Sequence, residues 1–137
     1  MKLWKYLLIA ALIFSALFLI VYGSLLMISP DNINITLNFE DVSSDEQLQI
    51  VIFLYGKLFL AIAFAFIINT ILVIKDSPLG IIFAIGQAVL MMNAGVLSFI
   101  MTGDATYLYA DLVRGLLLLI LVILYYFMYY RRKVLRK

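Results

Sequence analysis

Four long apolar stretches, separated by short polar segments, dominate the pattern of this chain. Crossing about 30 Å of hydrocarbon takes about 20 helical residues at 1.5 Å per residue, and each stretch is long enough. The pattern predicts an all-α protein, an integral membrane four-helix bundle formed as a single domain over residues 1–137. The predicted transmembrane helices cover about residues 3–29, 45–75, 78–102 and 105–131.

The first apolar run, Leu7 to Ile28, could be mistaken for a signal peptide. At about 22 residues it exceeds the apolar region of about 7–15 residues that is typical of signal peptides, and no small-residue cleavage site follows it. We therefore predict an uncleaved membrane helix that Pro30 ends.

Two of the connections between the predicted helices are only a few residues long. Lys75 to Pro78 forms a tight connection, in which Ser77 is a candidate N-cap and Pro78 occupies the first helical position. Thr102 to Asp104 closes the third helix. Connections this short place neighbouring helices antiparallel. The remaining connection, residues 30–48, is acidic and is predicted to lie outside the cell membrane.

The distribution of basic residues predicts the orientation. Lysine and arginine are concentrated near both chain ends and at Lys75, whereas residues 31–49 carry five acids and no Lys or Arg. Because cytoplasmic flanks are enriched in basic residues, both termini are predicted to be cytoplasmic. The expected location is the cell (plasma) membrane, as a multi-pass protein.

Composition agrees with a membrane protein and narrows the chemistry. Apolar residues make up 66% of the chain, charged residues 13%, and the mean hydropathy is +1.15, which lies outside the range of soluble domains. The chain has no cysteine and no histidine, which removes thiolate nucleophiles, Cys/His zinc sites and any His general base. We expect no enzyme activity, no cofactor, no metal and no nucleic-acid partner.

Four polar side chains fall at similar depth from the predicted outer face. Lys57, Asn93, Asp111 and Arg114 each lie about two to three turns inside their helices. Asp111 can neutralise one of the two cations, Lys57 and Arg114. The planar guanidinium group of Arg114 is suited to binding an anion through two parallel hydrogen bonds. These four residues are our ligand-binding candidates, in an outward-facing pocket. The alternative is structural: Asp111 pairs with Arg114, and Lys57 either extends to the outer interface or pairs with Asp104.

Deeper polar and small residues are expected to serve packing. Asn69 and Gln87 are predicted interhelical hydrogen-bond partners. Small residues four positions apart predict close helix packing, and they form two rows: Ala61, Ala65 and Asn69 on the second helix, and Ala84 with Ala88 on the third.

The layout resembles the small four-helix bacterial membrane proteins grouped as DoxX-like. The residues that carry the resemblance are Tyr22-Gly23, Ser29-Pro30-Asp31, Tyr55-Gly56 and Arg114-Gly115. The resemblance implies a four-helix bundle whose functions are mostly unassigned or accessory to membrane-bound oxidoreductases. It transfers no site residue, because no catalytic pattern matches.

Two functional hypotheses follow, with a weaker third. The first is an accessory, assembly or interaction subunit of a larger membrane complex, because four helices that are apolar nearly all round must meet lipid or partner helices. The alternative is binding or transport of a small anionic or lipid ligand through the outward-facing pocket. An enzyme that uses Asp111 as acid or base is disfavoured, since no second carboxylate lies at matching depth unless Asp104 turns inward. The expected partners are membrane lipids and either another membrane protein or further copies of this chain.

Overall fold

The computed structural model describes residues 2–28, 45–103 and 105–136, which form four long helices with a short C-terminal extension. The helices are α1, Leu3–Ile28; α2, Asp45–Ile74; α3, Pro78–Thr102; and α4, Ala105–Tyr125. A π-helical turn, Tyr126–Tyr130, and α5, Arg131–Leu135, continue the fourth helix without a break. All four long helices are apolar enough and long enough to cross a membrane.

The bundle consists of two closely packed helix pairs, α1 with α2 and α3 with α4. Glycine allows each close approach. A Cβ at Gly23 would lie 2.9 Å from the carbonyl oxygen of Gly56, and one at Gly115 would lie 2.8 Å from the carbonyl oxygen of Ala88. Real Cβ atoms do not approach carbonyl oxygens so closely, so the backbones of each pair can pack at this distance only because these residues lack side chains.

The two pairs join through a common core. We call the end of the bundle that carries the start of α1, the end of α5 and the α2–α3 connection the terminal end. The core lies between this end and the middle of the bundle. The buried side chains of this core are Leu8, Leu12, Ala16, Phe66, Val73, Ile81, Ala84, Ala88, Leu118, Val122 and Tyr125. The terminal half is therefore the best-packed part of the described bundle.

The connections follow the sequence prediction in part. Pro78 begins α3, as predicted, but the Ser77 side chain makes no capping hydrogen bond. Instead, the Ser77 carbonyl oxygen accepts a bond from the N–H of Gly80 at 3.0 Å. At the other end of α3, Gly103 has a φ of 68° and donates to the carbonyl oxygen of Phe99 at 2.7 Å. Residues 30–44 of the predicted acidic loop lie outside the described residues, as does Asp104, whereas residues 45–48 belong to the first turn of α2.

The two predicted rows of small residues differ in outcome. Ala84 and Ala88 are buried in the core, as predicted. Ala61 and Ala65 are exposed, so the predicted packing row on α2 is wrong at these two positions, whereas its third member, Asn69, is buried. The α2 helix instead turns Ala63 and Phe66 toward its neighbours, because its contact with α1 lies on a different face.

Candidate functional site

The most elaborate polar cluster in the described structure centres on Asp76, where α2 ends. Asp76 has a positive φ of 55°, and its N–H donates to the carbonyl oxygen of Val73 at 3.1 Å. The N–H of Ser77 donates to the carbonyl oxygen of Leu72 at 2.9 Å. These two bonds form a Schellman motif, whose left-handed position is usually glycine but tolerates aspartate. The backbone thus fixes the carboxylate at the terminal end.

Two lysines from distant parts of the chain bind this carboxylate. Nζ of Lys5, on α1, lies 2.8 Å from Oδ1 of Asp76 and donates at 2.8 Å to the carbonyl oxygen of Ile74. Nζ of Lys133, on α5, pairs with the other carboxylate oxygen, Oδ2. One acidic side chain therefore links the first helix, the α2–α3 connection and the last helix.

Two tyrosines of the fourth helix complete the cluster. The hydroxyl of Tyr125, whose side chain is fully buried, donates to Oδ1 of Asp76 at 3.2 Å, and that of Tyr129 donates to Oδ2 at 3.4 Å. Tyr125, Tyr129 and Lys133 follow one another at intervals of four residues through the π-helical turn, which keeps them on one side. We call the set of Asp76, Lys5, Tyr125, Tyr129 and Lys133 the Asp76 cluster.

The ionisation of Asp76 reflects these contacts. Burial by itself would raise the pKa of the carboxyl group, but the hydrogen bonds and positive charges of Lys133 and Lys5 outweigh burial. The pKa of Asp76 consequently lies below its ordinary value, and the group is ionised at neutral pH. The cluster contains two cations, each bonded to the same anion. This arrangement crosslinks helices electrostatically.

Sequence reasoning treated Asp76 only as part of a tight turn. Two features pointed to the cluster: Lys5 and the 75–78 connection were predicted on the same side of the membrane, and Tyr125, Tyr129 and Lys133 recur every four residues. Neither feature shows which basic residue reaches the carboxylate, because that depends on how the helices pack.

The predicted ligand-binding candidates are only partly brought together. Asp111 is half-buried on α4 beside α3, where a Cβ at Gly95 would lie 3.0 Å from the Cβ of Asp111. Arg114, one turn further along α4, places its guanidinium 4.5 Å from the centre of the Phe18 ring on α1. No direct ion pair joins the two described side chains. They lie close enough for their charges to interact.

Lys57 and Asn93 point away from this pair. Lys57 is exposed, with its ammonium 4.7 Å from the centre of the Phe53 ring on its own helix. It shares a face of α2 with Phe64 and Ile68, which are also exposed. Asn93 is exposed on the side of α3 opposite to buried Ala88. Arg114 is exposed like Lys57 and Asn93, and Asp111 is half-buried, so the described structure does not gather the four residues in its interior. A ligand-binding role for them stays a prediction.

The deeper amides behave as predicted. Asn69 on α2 is 1% exposed, and its amide nitrogen donates to Oε1 of Gln87 on α3 at 2.8 Å. With the Asn69 amide flipped, its nitrogen donates to the carbonyl oxygen of Gly80 at 2.9 Å and its oxygen accepts from the N–H of Ala84 at 3.2 Å. In either orientation Asn69 connects α2 to α3, which confirms the predicted interhelical hydrogen bond.

The exposed side of α3 carries a second feature beside Asn93. Gly86 lies seven residues earlier, on the same face, and a Cβ added there would meet nothing within 4 Å. Leu90 and Leu97 are exposed on that face as well. We call this surface, formed by Gly86, Leu90, Asn93 and Leu97, the α3 face.

No protein-family model, curated protein or solved structure matches this chain. The DoxX-like resemblance therefore stays a prediction from the layout of the sequence.

Proposed function

We propose that this protein is an accessory or assembly subunit of a larger membrane complex and that it docks on its partner through the α3 face. In this proposal the four helices span the plasma membrane with both termini in the cytoplasm. The concentration of basic residues at the terminal end supports that orientation, since cytoplasmic flanks are enriched in Lys and Arg.

The exposed amide of Asn93 is the observation that carries the proposal. Asn93 falls within the Pro78–Leu97 span, on the side of α3 that the described residues leave open. An amide in hydrocarbon without a hydrogen-bond partner costs roughly 2–7 kcal/mol. A neighbouring transmembrane helix that offers a polar group would remove this cost, whereas lipid tails cannot.

The space above Gly86 supports the same interpretation. Close packing of transmembrane helices relies on small residues at the contact, which let two backbones approach each other. The other glycines within α3 and α4 each approach a neighbour inside the bundle: Gly80, Gly95 and Gly115. Gly86 is exposed and has no side chain, so a partner helix can approach its backbone closely. Because Gly86 lies two turns from Asn93 on the same face, one partner helix can contact both.

The proposed partner is another membrane protein, and a second copy of this chain is the alternative occupant. The DoxX-like resemblance supports the first, because such proteins include accessory components of membrane-bound oxidoreductases.

Site-specific photocrosslinking in the native membrane tests the proposal. A photoreactive residue is placed at Asn93, and the matched control carries it at Phe64, which is exposed on the far face of α2. We expect a protein adduct of one defined mass from position 93 and none from position 64. A mass of twice the chain would identify a homo-oligomer and overturn the subunit proposal. The absence of a protein adduct from position 93, or equal adducts from both positions, would overturn docking through the α3 face.

A further inference from the structure

Charge is distributed very unevenly over the bundle. Among the described residues of the terminal end there are seven basic side chains, Lys2, Lys5, Lys75, Arg131, Arg132, Lys133 and Arg136, and the only acidic one is Asp76. Five of the eight acids of the sequence are concentrated instead in residues 31–46, and no Lys or Arg lies between residues 31 and 49. One end of the molecule is thus strongly cationic.

Asp76 compensates only part of this charge. Its carboxylate is occupied by Lys5 and Lys133, and its side chain is only 13% exposed, which leaves it little access to other cations. Lys2, Lys75, Arg131 and Arg136 are exposed, and no acidic side chain of the described structure pairs with them. A counter-ion for these side chains must come from outside the described bundle.

The position of these residues favours a lipid over a soluble polyanion. Arg131 and Arg132 lie about one helical turn beyond Tyr126 and Phe127, which are exposed on the same continuous helix. Exposed aromatic residues at the end of a membrane span mark the level of the headgroups. The guanidinium groups then lie beside the phosphate layer, and they can bind a phosphate through two parallel hydrogen bonds.

We propose that the terminal end binds the phosphate groups of anionic phospholipids through a surface formed by Lys2, Lys75, Arg131, Arg132 and Arg136, the basic surface. Asp76 acts as an internal counter-ion, which holds Lys5 and Lys133 and lowers the number of charges offered to lipid. This inference rests on the membrane placement proposed above, but it is independent of the α3 face and of any protein partner.

Native mass spectrometry of the full chain in nanodiscs tests this inference. The nanodiscs contain equal amounts of phosphatidylglycerol and phosphatidylcholine, and the readout is the number of each lipid retained after the disc is removed. We expect the wild-type protein to retain phosphatidylglycerol in excess. Each basic residue near an anionic surface contributes about 1 kcal/mol, so Lys75→Gln or Arg131→Gln should reduce that retention by roughly fivefold.

The matched control is Ala105→Asp, which lowers the net charge by the same amount at an exposed position at the start of α4, far from the terminal end. We expect this variant to retain phosphatidylglycerol like the wild type. Equal loss in Ala105→Asp and Lys75→Gln would show that net charge alone matters, and no excess of phosphatidylglycerol in the wild type would show that the surface is not selective. Either result would overturn the inference.

Asp76→Asn gives a test with the opposite sign. Removing the internal counter-ion should increase phosphatidylglycerol retention, although the same change weakens the Asp76 cluster. Retention at or below the wild-type value in folded protein would contradict the counter-ion role. If this variant does not fold, Lys75→Gln and Arg131→Gln still decide the lipid proposal. Failure of membrane placement would differ from all of these results, since no variant would then enter the nanodiscs.

Discussion

The ammonium group of Lys5 lies 2.8 Å from the carboxylate of Asp76, although 71 positions separate the two residues in the chain. Lys133 reaches the same carboxylate from the opposite chain end. This single acid therefore holds the first helix and the last helix to the α2–α3 connection, at the end of the bundle where the shared core also lies.

Replacing Asp76 by asparagine should destabilise the bundle. Asparagine also tolerates a positive φ, so the change removes the charge without adding backbone strain. Hydrogen bonds to charged groups contribute about 1.5–3 kcal/mol, and we expect a loss of this order in the free energy of unfolding. Thermal unfolding in detergent, followed by circular dichroism, measures the loss. Lys75→Gln, one residue earlier and exposed, is the control and should leave the midpoint nearly unchanged.

Lowering the pH should destabilise the terminal end as Asp76→Asn does, because protonation also removes the charge of Asp76. The pKa of Asp76 in the folded protein is lower than in the unfolded chain, because Lys133 and Lys5 outweigh the effect of burial. The stabilisation is therefore complete above the unfolded pKa of about 3.9 and is lost as the pH falls below that value through the folded pKa. Unfolding midpoints measured between pH 7 and pH 3 should fall more in the wild type than in Asp76→Asn. Parallel curves would contradict this linkage.

The hydroxyl of Tyr125 can be tested separately from its ring. Tyr125→Phe keeps the buried ring but removes the hydrogen bond to Oδ1 of Asp76. We expect a loss of about 1 kcal/mol in the free energy of unfolding, a typical value for one hydrogen bond. Tyr126→Phe is a close control, because the neighbouring ring is exposed. Equal effects of the two substitutions would show that the Tyr125 hydroxyl does not stabilise the cluster.

Gly115 and Gly86 should respond oppositely to alanine. A Cβ at Gly115 would lie 2.6 Å from Cγ of Met92 and 2.8 Å from the carbonyl oxygen of Ala88, so α3 and α4 would have to move apart. Such overpacking costs about 1–3 kcal/mol. Gly86→Ala meets no atom within 4 Å and should be neutral or stabilising by up to about 1 kcal/mol, because alanine favours the helix. Unfolding midpoints of the two variants compare these effects directly.

The sequence predicts the helices well because the length and apolar character of each span depend only on local composition. Pro78 likewise begins α3, because a proline fits the first turn of a helix and few other helical positions. The last helix extends further than expected: the π-helical turn carries it from Tyr125 through to Leu135, across a basic segment that was predicted to lie beyond the membrane helix.

The candidate pocket shows where sequence reasoning loses precision. Counting residues from a helix end gives the depth of a side chain, and it placed Lys57, Asn93, Asp111 and Arg114 at one level. The direction in which each side chain points depends on which face of its helix packs inward. Asp111 and Arg114 are three residues apart on one helix, so their proximity follows from the sequence. Lys57 and Asn93 lie on other helices, whose contacts with α1 and α4 turn them outward.

The central claim, that this chain is a subunit of a larger complex, is tested most directly by native mass spectrometry of the protein extracted gently from its own membrane. We expect a larger membrane protein to accompany the wild-type chain at fixed stoichiometry. Asn93→Leu should release that partner while the chain itself stays folded. A wild-type chain that appears alone, or only with copies of itself, would contradict the subunit function.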